Sequence, residues 1–435
     1  MRRRQSKSGL LCGLVTFLFV LGSHSIGIAQ ISTTSQPGNL QFHPYITVSE
    51  EYNNNVFLSN RNKIDDFMTH VDLGLTLSTP PEKNYGIDLN SSVGFIYYAK
   101  HNDLSYFNPS GALNAWYTVA PTLTFRVRDY FVRSDAAREG VYTSGTLPDQ
   151  FLLSTQRGFQ AIYIRNVVEP SVQYQFAKDG VFSVLYRNNI YHNDSVVYED
   201  SQENTINPTL SYWFDIKNGI TLSYILTFGQ FDRSPDFVSN GISTRYTYRF
   251  DPKTSIFGEY SYQKLDYKSP GIDYDVHSPS LGIEYKFSPT LTGTAQAGYY
   301  WEIPVKGGES SGPTFNLSLA KTGQRTTCTL AFQGGYTEDY FTSQNRGFTK
   351  YYRAYGTITH QLMEKLSVGL TGSAERAIYS NDQKDWIWGI WGNASYQLLT
   401  WLSLSFRVGY TEDHSNISNF SYNQYRGIIS ATATF

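Results

Sequence analysis

The chain has 435 residues, a formal net charge of −2, 17% charged residues and 16% aromatic residues, with 35 Tyr. This balance speaks against a nucleic-acid binder, which carries a basic excess or patch. Beyond the N-terminal region there is also no run of roughly 20 apolar residues, the length that a spanning helix needs.

In chain order, the first segment reads as a secretory signal. Basic MRRRQSKSG precedes the apolar run Leu10 to Gly22, and Gly27 and Ala29 supply the small residues of a cut after Ala29. Cys12 lies inside that run and not after it, which argues against a lipoprotein. Loss of residues 1–29 would remove Arg2, Arg3, Arg4 and Lys7 and no acid, leaving a net-acidic remainder. Cys328 would then be the one cysteine, so neither an intramolecular disulfide nor a Cys-rich metal site is expected. Residues 30–42 read as a short periplasmic lead, and 43–435 as a single domain.

Within that domain, alternation of period two recurs, and it marks half-buried strands. Leu402, Leu404, Phe406, Val408 and Tyr410 alternate with Ser403, Ser405, Arg407, Gly409 and Thr411. Leu222 to Gly229, Leu281 to Phe287 and Leu291 to Trp301 behave the same way, and the apolar face often ends on Tyr, Phe or Trp. Tight-turn signals fall at Pro80–Asn84, Ala120–Thr122, Ala177–Gly180, Ile216–Gly219, Asp251–Thr254, Ser288–Thr290, Lys321–Gln324, Leu362–Lys365 and Leu398–Trp401. Longer polar connections lie between them, the longest over 135–158. Short turns at one end and long loops at the other are the asymmetry of outer-membrane barrels.

Nine short turns with one further strand at each end imply twenty strands, eighteen being the alternative count. Pro109 and Pro208 interrupt 104–119 and 201–214, the two weakest strands of the set. A propeller is disfavoured because its repeat of roughly 40 to 50 residues holds four strands, and two fit here. The expected fold is therefore all-β: an antiparallel up-and-down transmembrane β-barrel with no plug domain. Closure satisfies every backbone group in a medium without water.

Candidate chemistry is sparse. Seven histidines follow the signal, and they form no HExxH motif; no GxSxG or phosphate loop is present. No enzyme activity and no cofactor are expected. Glu50, Glu51, Asn53, Asn55, Asp65 and Asp66 offer hard oxygen ligands, but without a calcium-loop pattern no metal is assigned. Alternation turns Arg126, Arg128, Arg187, Arg245, Arg249, Glu284, Arg353, Arg407 and Arg426 inward, together with Asp72, Asp88, Glu169, Glu259, Arg325 and Lys286. They form either a pore lining with a basic bias or a self-satisfying charge network that stiffens the wall. Inward Tyr130, Trp213, Tyr300 and Trp391 either stack on sugar rings or fill space. Phe151-Leu152-Leu153 predicts that the longest loop folds into the lumen and that its deletion raises conductance.

Three segments carry a resemblance: EEYNNNVFLS (Glu50 to Ser59), FRVRDYFVRSDAARE (Phe125 to Glu139) and RNVVEPSVQYQF (Arg165 to Phe176). They resemble the putative β-barrel porin 2 type of outer-membrane proteins. The resemblance implies a barrel in the outer membrane of a Gram-negative bacterium, associated with exopolysaccharide systems. The expected function is a porin-like channel for passive diffusion or export of small solutes or polysaccharide. A structural envelope barrel that binds polysaccharide without transport is the alternative. The last nine residues, Gly427 to Phe435, alternate and end on an aromatic. They resemble the signal read by the barrel-assembly machinery, with Phe435 as its recognition residue. Outer-membrane lipid and that machinery are the expected partners.

Overall fold

The computed structural model describes residues 40–80, 83–135, 162–195, 198–339 and 347–435. Segment 1–29, which the sequence reads as a secretory signal, and the loop after Asp135 lie outside the described residues. Among the described residues, twenty-one strands make one sheet: β1 (Gln41–Asn53), β2 (Asp66–Ser78), β3 (Tyr85–Tyr98), β4 (Tyr106–Phe107), β5 (Ser110–Ala120), β6 (Leu123–Ser134) and β7 (Tyr163–Ala177). There follow β8 (Gly180–Asn193), β9 (Ser201–Trp213), β10 (Asn218–Phe231), β11 (Phe237–Arg249), β12 (Thr254–Tyr267), β13 (Tyr274–Ser288) and β14 (Leu291–Pro304). The set ends with β15 (Ser310–Thr322), β16 (Thr326–Asp339), β17 (Gly347–Met363), β18 (Leu366–Tyr379), β19 (Lys384–Leu399), β20 (Leu402–Ser415) and β21 (Tyr422–Thr434). Among the described residues, helix is limited to two 3-10 turns, and no helix is long and apolar enough to cross a membrane.

Among the described residues the ring has the expected twenty strands, and β4 is an unexpected two-residue strand that pairs with β3 alone, outside the ring. Pro109 is the physical reason. It has no backbone N–H to give to a ladder, so the strand expected over 104–119 splits into β4 and β5.

Pro208 has the opposite outcome. It stays inside β9, although the β9–β10 ladder skips from Ser223↔Thr209 to Leu226↔Ile206. The Asn207 side-chain amide donates to the Tyr224 carbonyl at 2.8 Å and to Ser223 Oγ at 2.8 Å. A side-chain donor thus stands in for the N–H that Pro208 lacks. An unsatisfied backbone group facing lipid costs several kcal/mol.

The alternation sorts the two faces. Leu73, Val93, Phe125, Leu281, Phe332 and Phe406 are exposed on the outer surface, Leu281 at 73%. Residues one step along each strand face the interior. The barrel closes where β1 pairs antiparallel with β21, from Tyr45↔Thr434 to Asn53↔Arg426. The Phe435 N–H adds a bond to the Pro44 carbonyl at 2.9 Å.

The short-turn ends share one device at two places. Asp215 Oδ1 accepts the Lys217 and Asn218 N–H groups, and Asp251 Oδ1 accepts those of Lys253 and Thr254. Such Asx-type turns satisfy backbone donors locally and reverse the chain in few residues.

Candidate functional site

The inner wall is where chemistry can occur, since the outer face is apolar. Arg126, Arg128, Arg187, Arg245, Arg249, Glu284, Arg353, Arg407 and Arg426 all occupy inward positions by strand parity and register. Arg325 does not: it sits in the turn before β16.

Most of these charges are used within the wall. Glu169, at 0% exposure, lies 3.0 Å from Arg128 Nη2 and 3.6 Å from Arg187 Nε. Arg353 Nε donates to Glu375 Oε2 at 2.6 Å, with both side chains buried. Arg245 pairs with Glu284 and lies 3.6 Å from the centre of the Phe257 ring. A buried charge needs such a partner because the interior does not solvate it.

Arg426 and Glu51 join the two strands that close the ring, at 2.7 Å. His70 Nε2 lies 3.5 Å from the same carboxylate. Around this pair Asn55 Nδ2 donates to the Asn423 carbonyl at 2.8 Å, and Gln424 Nε2 donates to Asn53 Oδ1 at 3.1 Å. The Tyr425 N–H donates to Asn54 Oδ1 at 2.7 Å. Thus Glu51, Asn53 and Asn55, first considered as oxygen ligands, clasp the last strand. Asp65 pairs with Lys100 at 2.5 Å. Asp66 accepts the Phe67, Lys100 and His101 N–H groups at 2.8, 2.9 and 3.1 Å. Among the described residues no group of three or more His, Cys, Asp or Glu is placed to hold a metal ion.

Sequence reasoning missed the Glu51–Arg426 clasp. Its signal was a strand-register one: Glu51 shares the inward parity of Tyr45, Thr47 and Ser49. It also missed Arg165, Asn189 and Glu203, a buried relay on β7, β8 and β9. Arg165 Nε donates to Asn189 Oδ1 at 3.2 Å, and Asn189 Nδ2 donates to Glu203 Oε2 at 3.1 Å.

Two cation–aromatic stacks stand on roughly opposite arcs of the twenty-strand ring. The Arg249 guanidinium lies 3.6 Å from the centre of the Trp213 ring. Arg407 and Arg426 lie 4.6 and 5.7 Å from the Trp391 ring. Gly409 makes room for the indole, because a Cβ there would collide with it. Arginine over an indole face gains cation–π attraction and loses side-chain freedom.

Inward exposure changes along the barrel axis. On β20, Ser405 and Arg407 near the short-turn end are exposed, whereas Gly409, Thr411 and Asp413 further on are buried. On β7, Gln173 and Gln175 are exposed, but Tyr163, Arg165, Val167 and Glu169 are buried. Tyr300, expected as a sugar platform or filler, packs at 1% exposure with Phe237, Leu265, Tyr274, Val276 and Phe348. The long-loop half of the inner wall is therefore closely packed and the short-turn half is wet.

Two solved receptor structures share this fold. The ferric enterobactin receptor PfeA of Pseudomonas aeruginosa, in complex with BCV-L6, is 10% identical. That match covers 92% of this chain and 82% of that one, with a TM-score of 0.52. The siderophore receptor PirA of Pseudomonas aeruginosa is 11% identical, over 92% and 81%, with a TM-score of 0.51. The outer membrane protein OpdK of Pseudomonas aeruginosa is 10% identical over 91% and 99%, with a TM-score of 0.42. No curated protein matches the chain.

The receptors correct one expectation. A barrel without a plug domain was inferred from the short stretch ahead of β1, but the chain's likeness is to receptors whose barrels have plugs. That inference is withdrawn, and the stretch up to residue 39 lies outside the described residues. The three segments that carried the family resemblance precede the region matched by the family model. Residues 226–435 match the model of the family Putative beta-barrel porin 2, and the fold is a porin-like β-barrel of the outer-membrane type.

Proposed function

We propose that the barrel is a channel in the outer membrane of a Gram-negative bacterium. It passes small anionic or polyhydroxylated solutes, with polysaccharide export as the larger-scale form of the same passage. The supporting observation is the wet, polar short-turn half of the inner wall, where Arg126, Arg249 and Arg407 are exposed among Ser, Thr, Asn and Gln. Rings of like charge on a pore wall set the sign of the ion that enters. In planar bilayers the purified chain is expected to conduct, with a reversal potential in a KCl gradient that reports anion preference.

The packed long-loop half favours a second reading. Glu169, Glu375, Val167 and Val276 are at 0% exposure, which suits a barrel that is occluded at rest and acts as an envelope scaffold for polysaccharide. Silent bilayers with a correctly folded protein would select this reading. In both readings lipid and the barrel-assembly machinery are the partners of insertion, and no catalytic role is assigned.

A further inference from the structure

At the short-turn rim, four adjacent strands and two turns enclose a cavity of about 710 Å³. Lys217, Arg249, Lys253 and Lys286 line it, against the two acids Asp251 and Glu284. Both acids are engaged elsewhere. Asp251 caps its own turn through Lys253 N–H, Thr254 N–H and Thr254 Oγ1, and Glu284 pairs with Arg245. None of the four cations has a carboxylate within salt-bridge distance among the described residues.

The backbone fixes their convergence. The Arg249 N–H bonds to the Lys217 carbonyl at 2.8 Å, and the Lys286 N–H to the Lys253 carbonyl at 2.9 Å. Arg249 pairs in register with Ser255, Ser255 with Glu284, and Glu284 with Thr294. Neighbouring strands lie about 4.8 Å apart, so the charges span roughly 15 to 20 Å of one arc. The Arg249 guanidinium lies 3.6 Å from the centre of the Trp213 ring, and its Nη1 donates to the Ile216 carbonyl at 3.4 Å; of its five N–H donors others remain for a planar or tetrahedral anion. Thr292 and Thr294 add hydroxyls to the lining.

The geometry points to a binding site for a polyvalent anion, carrying phosphate or carboxylate groups, at the short-turn mouth of the barrel. The site deepens the channel reading and rests on it for its role as the entry station for anionic cargo. One charge would not suffice, because exposed single pairs are weak. An extended polyanion that meets all four at once gains from each.

The test is isothermal titration of the detergent-purified full chain with inorganic tripolyphosphate and, separately, with oligogalacturonate. Binding is expected to weaken as salt rises. It should fall roughly tenfold or more in K217Q/R249Q/K253Q/K286Q, since each exposed charge contributes modestly. The milder K217Q/K253Q, confined to the turns, should lose a part of that and keep the fold intact. The tighter of the two probes identifies the cargo chemistry. No binding of either probe, or equal affinity in the folded wild type and K217Q/K253Q, would overturn the site. Tight binding with silent bilayers would instead remove the channel reading and leave the site standing.

Discussion

Removing Arg426 should weaken the barrel at its closing seam, and removing Glu51 should do so less. Glu51 is 4% exposed and Arg426 is 31% exposed. Arg426→Ala leaves the buried carboxylate with His70, at 3.5 Å, as its remaining ion-pair partner among the described residues. Breaking a buried pair from one side costs roughly 3 to 5 kcal/mol. Glu51→Gln leaves a guanidinium that still reaches solvent and the Trp391 ring, so the loss is nearer to one charge-assisted hydrogen bond, roughly 1.5 kcal/mol. The double variant E51L/R426L should recover much of the R426A loss, because an apolar pair carries no uncompensated charge. The assay is reversible urea unfolding in lipid vesicles, followed by Trp fluorescence, with the wild type and the three variants compared under the same conditions. If R426A and E51Q cost the same, or if both cost less than about 0.5 kcal/mol, the seam is not held by this pair.

Three further outcomes follow from other elements. Asn207→Ala should destabilise by roughly 1 to 3 kcal/mol, the cost of an orphaned carbonyl, and should cost less in a P208A background, where a ladder N–H returns; equal losses in both would refute the substitution device. Phe435→Ala should lower the fraction of heat-modifiable, membrane-inserted barrel without altering conductance per inserted molecule, and normal insertion yield would end the assembly-signal reading. The Lys253 and Thr254 N–H groups and the Thr254 hydroxyl hold the Asp251 carboxyl below its ordinary value. A lowered folded value means that this turn gains stability above the usual carboxylate range and loses it as pH falls through the lowered value. The Lys253 and Thr254 amide resonances should shift together at acidic pH, and unshifted resonances would show that the cap does not form.

Much of the barrel was legible because strand periodicity is local. The parity of β20 and β21, the nine short turns and the inward direction of nine charged residues all follow from neighbours two positions apart. Two prolines with the same sequence warning had different outcomes. Pro109 ended a strand, whereas Pro208 was accommodated because Asn207 lies beside it and Ser223 and Tyr224 lie across the ladder. A single chain segment does not display what faces it, so the difference was not readable in advance.

The sequence by itself determined the class: an alternating, Tyr-rich chain without a spanning helix must close its ladder on itself to satisfy its backbone. Tertiary structure alone decided which charges meet. Glu51 and Arg426 are 375 positions apart and become neighbours only when the ring closes. Whether an inward arginine is spent on a carboxylate, as Arg353 is, or left facing a cavity, as Arg249 is, depends on the register of adjacent strands. Periodicity sets the face of each side chain, while register and closure set its partner. Coulomb and desolvation terms depend on that partner's distance.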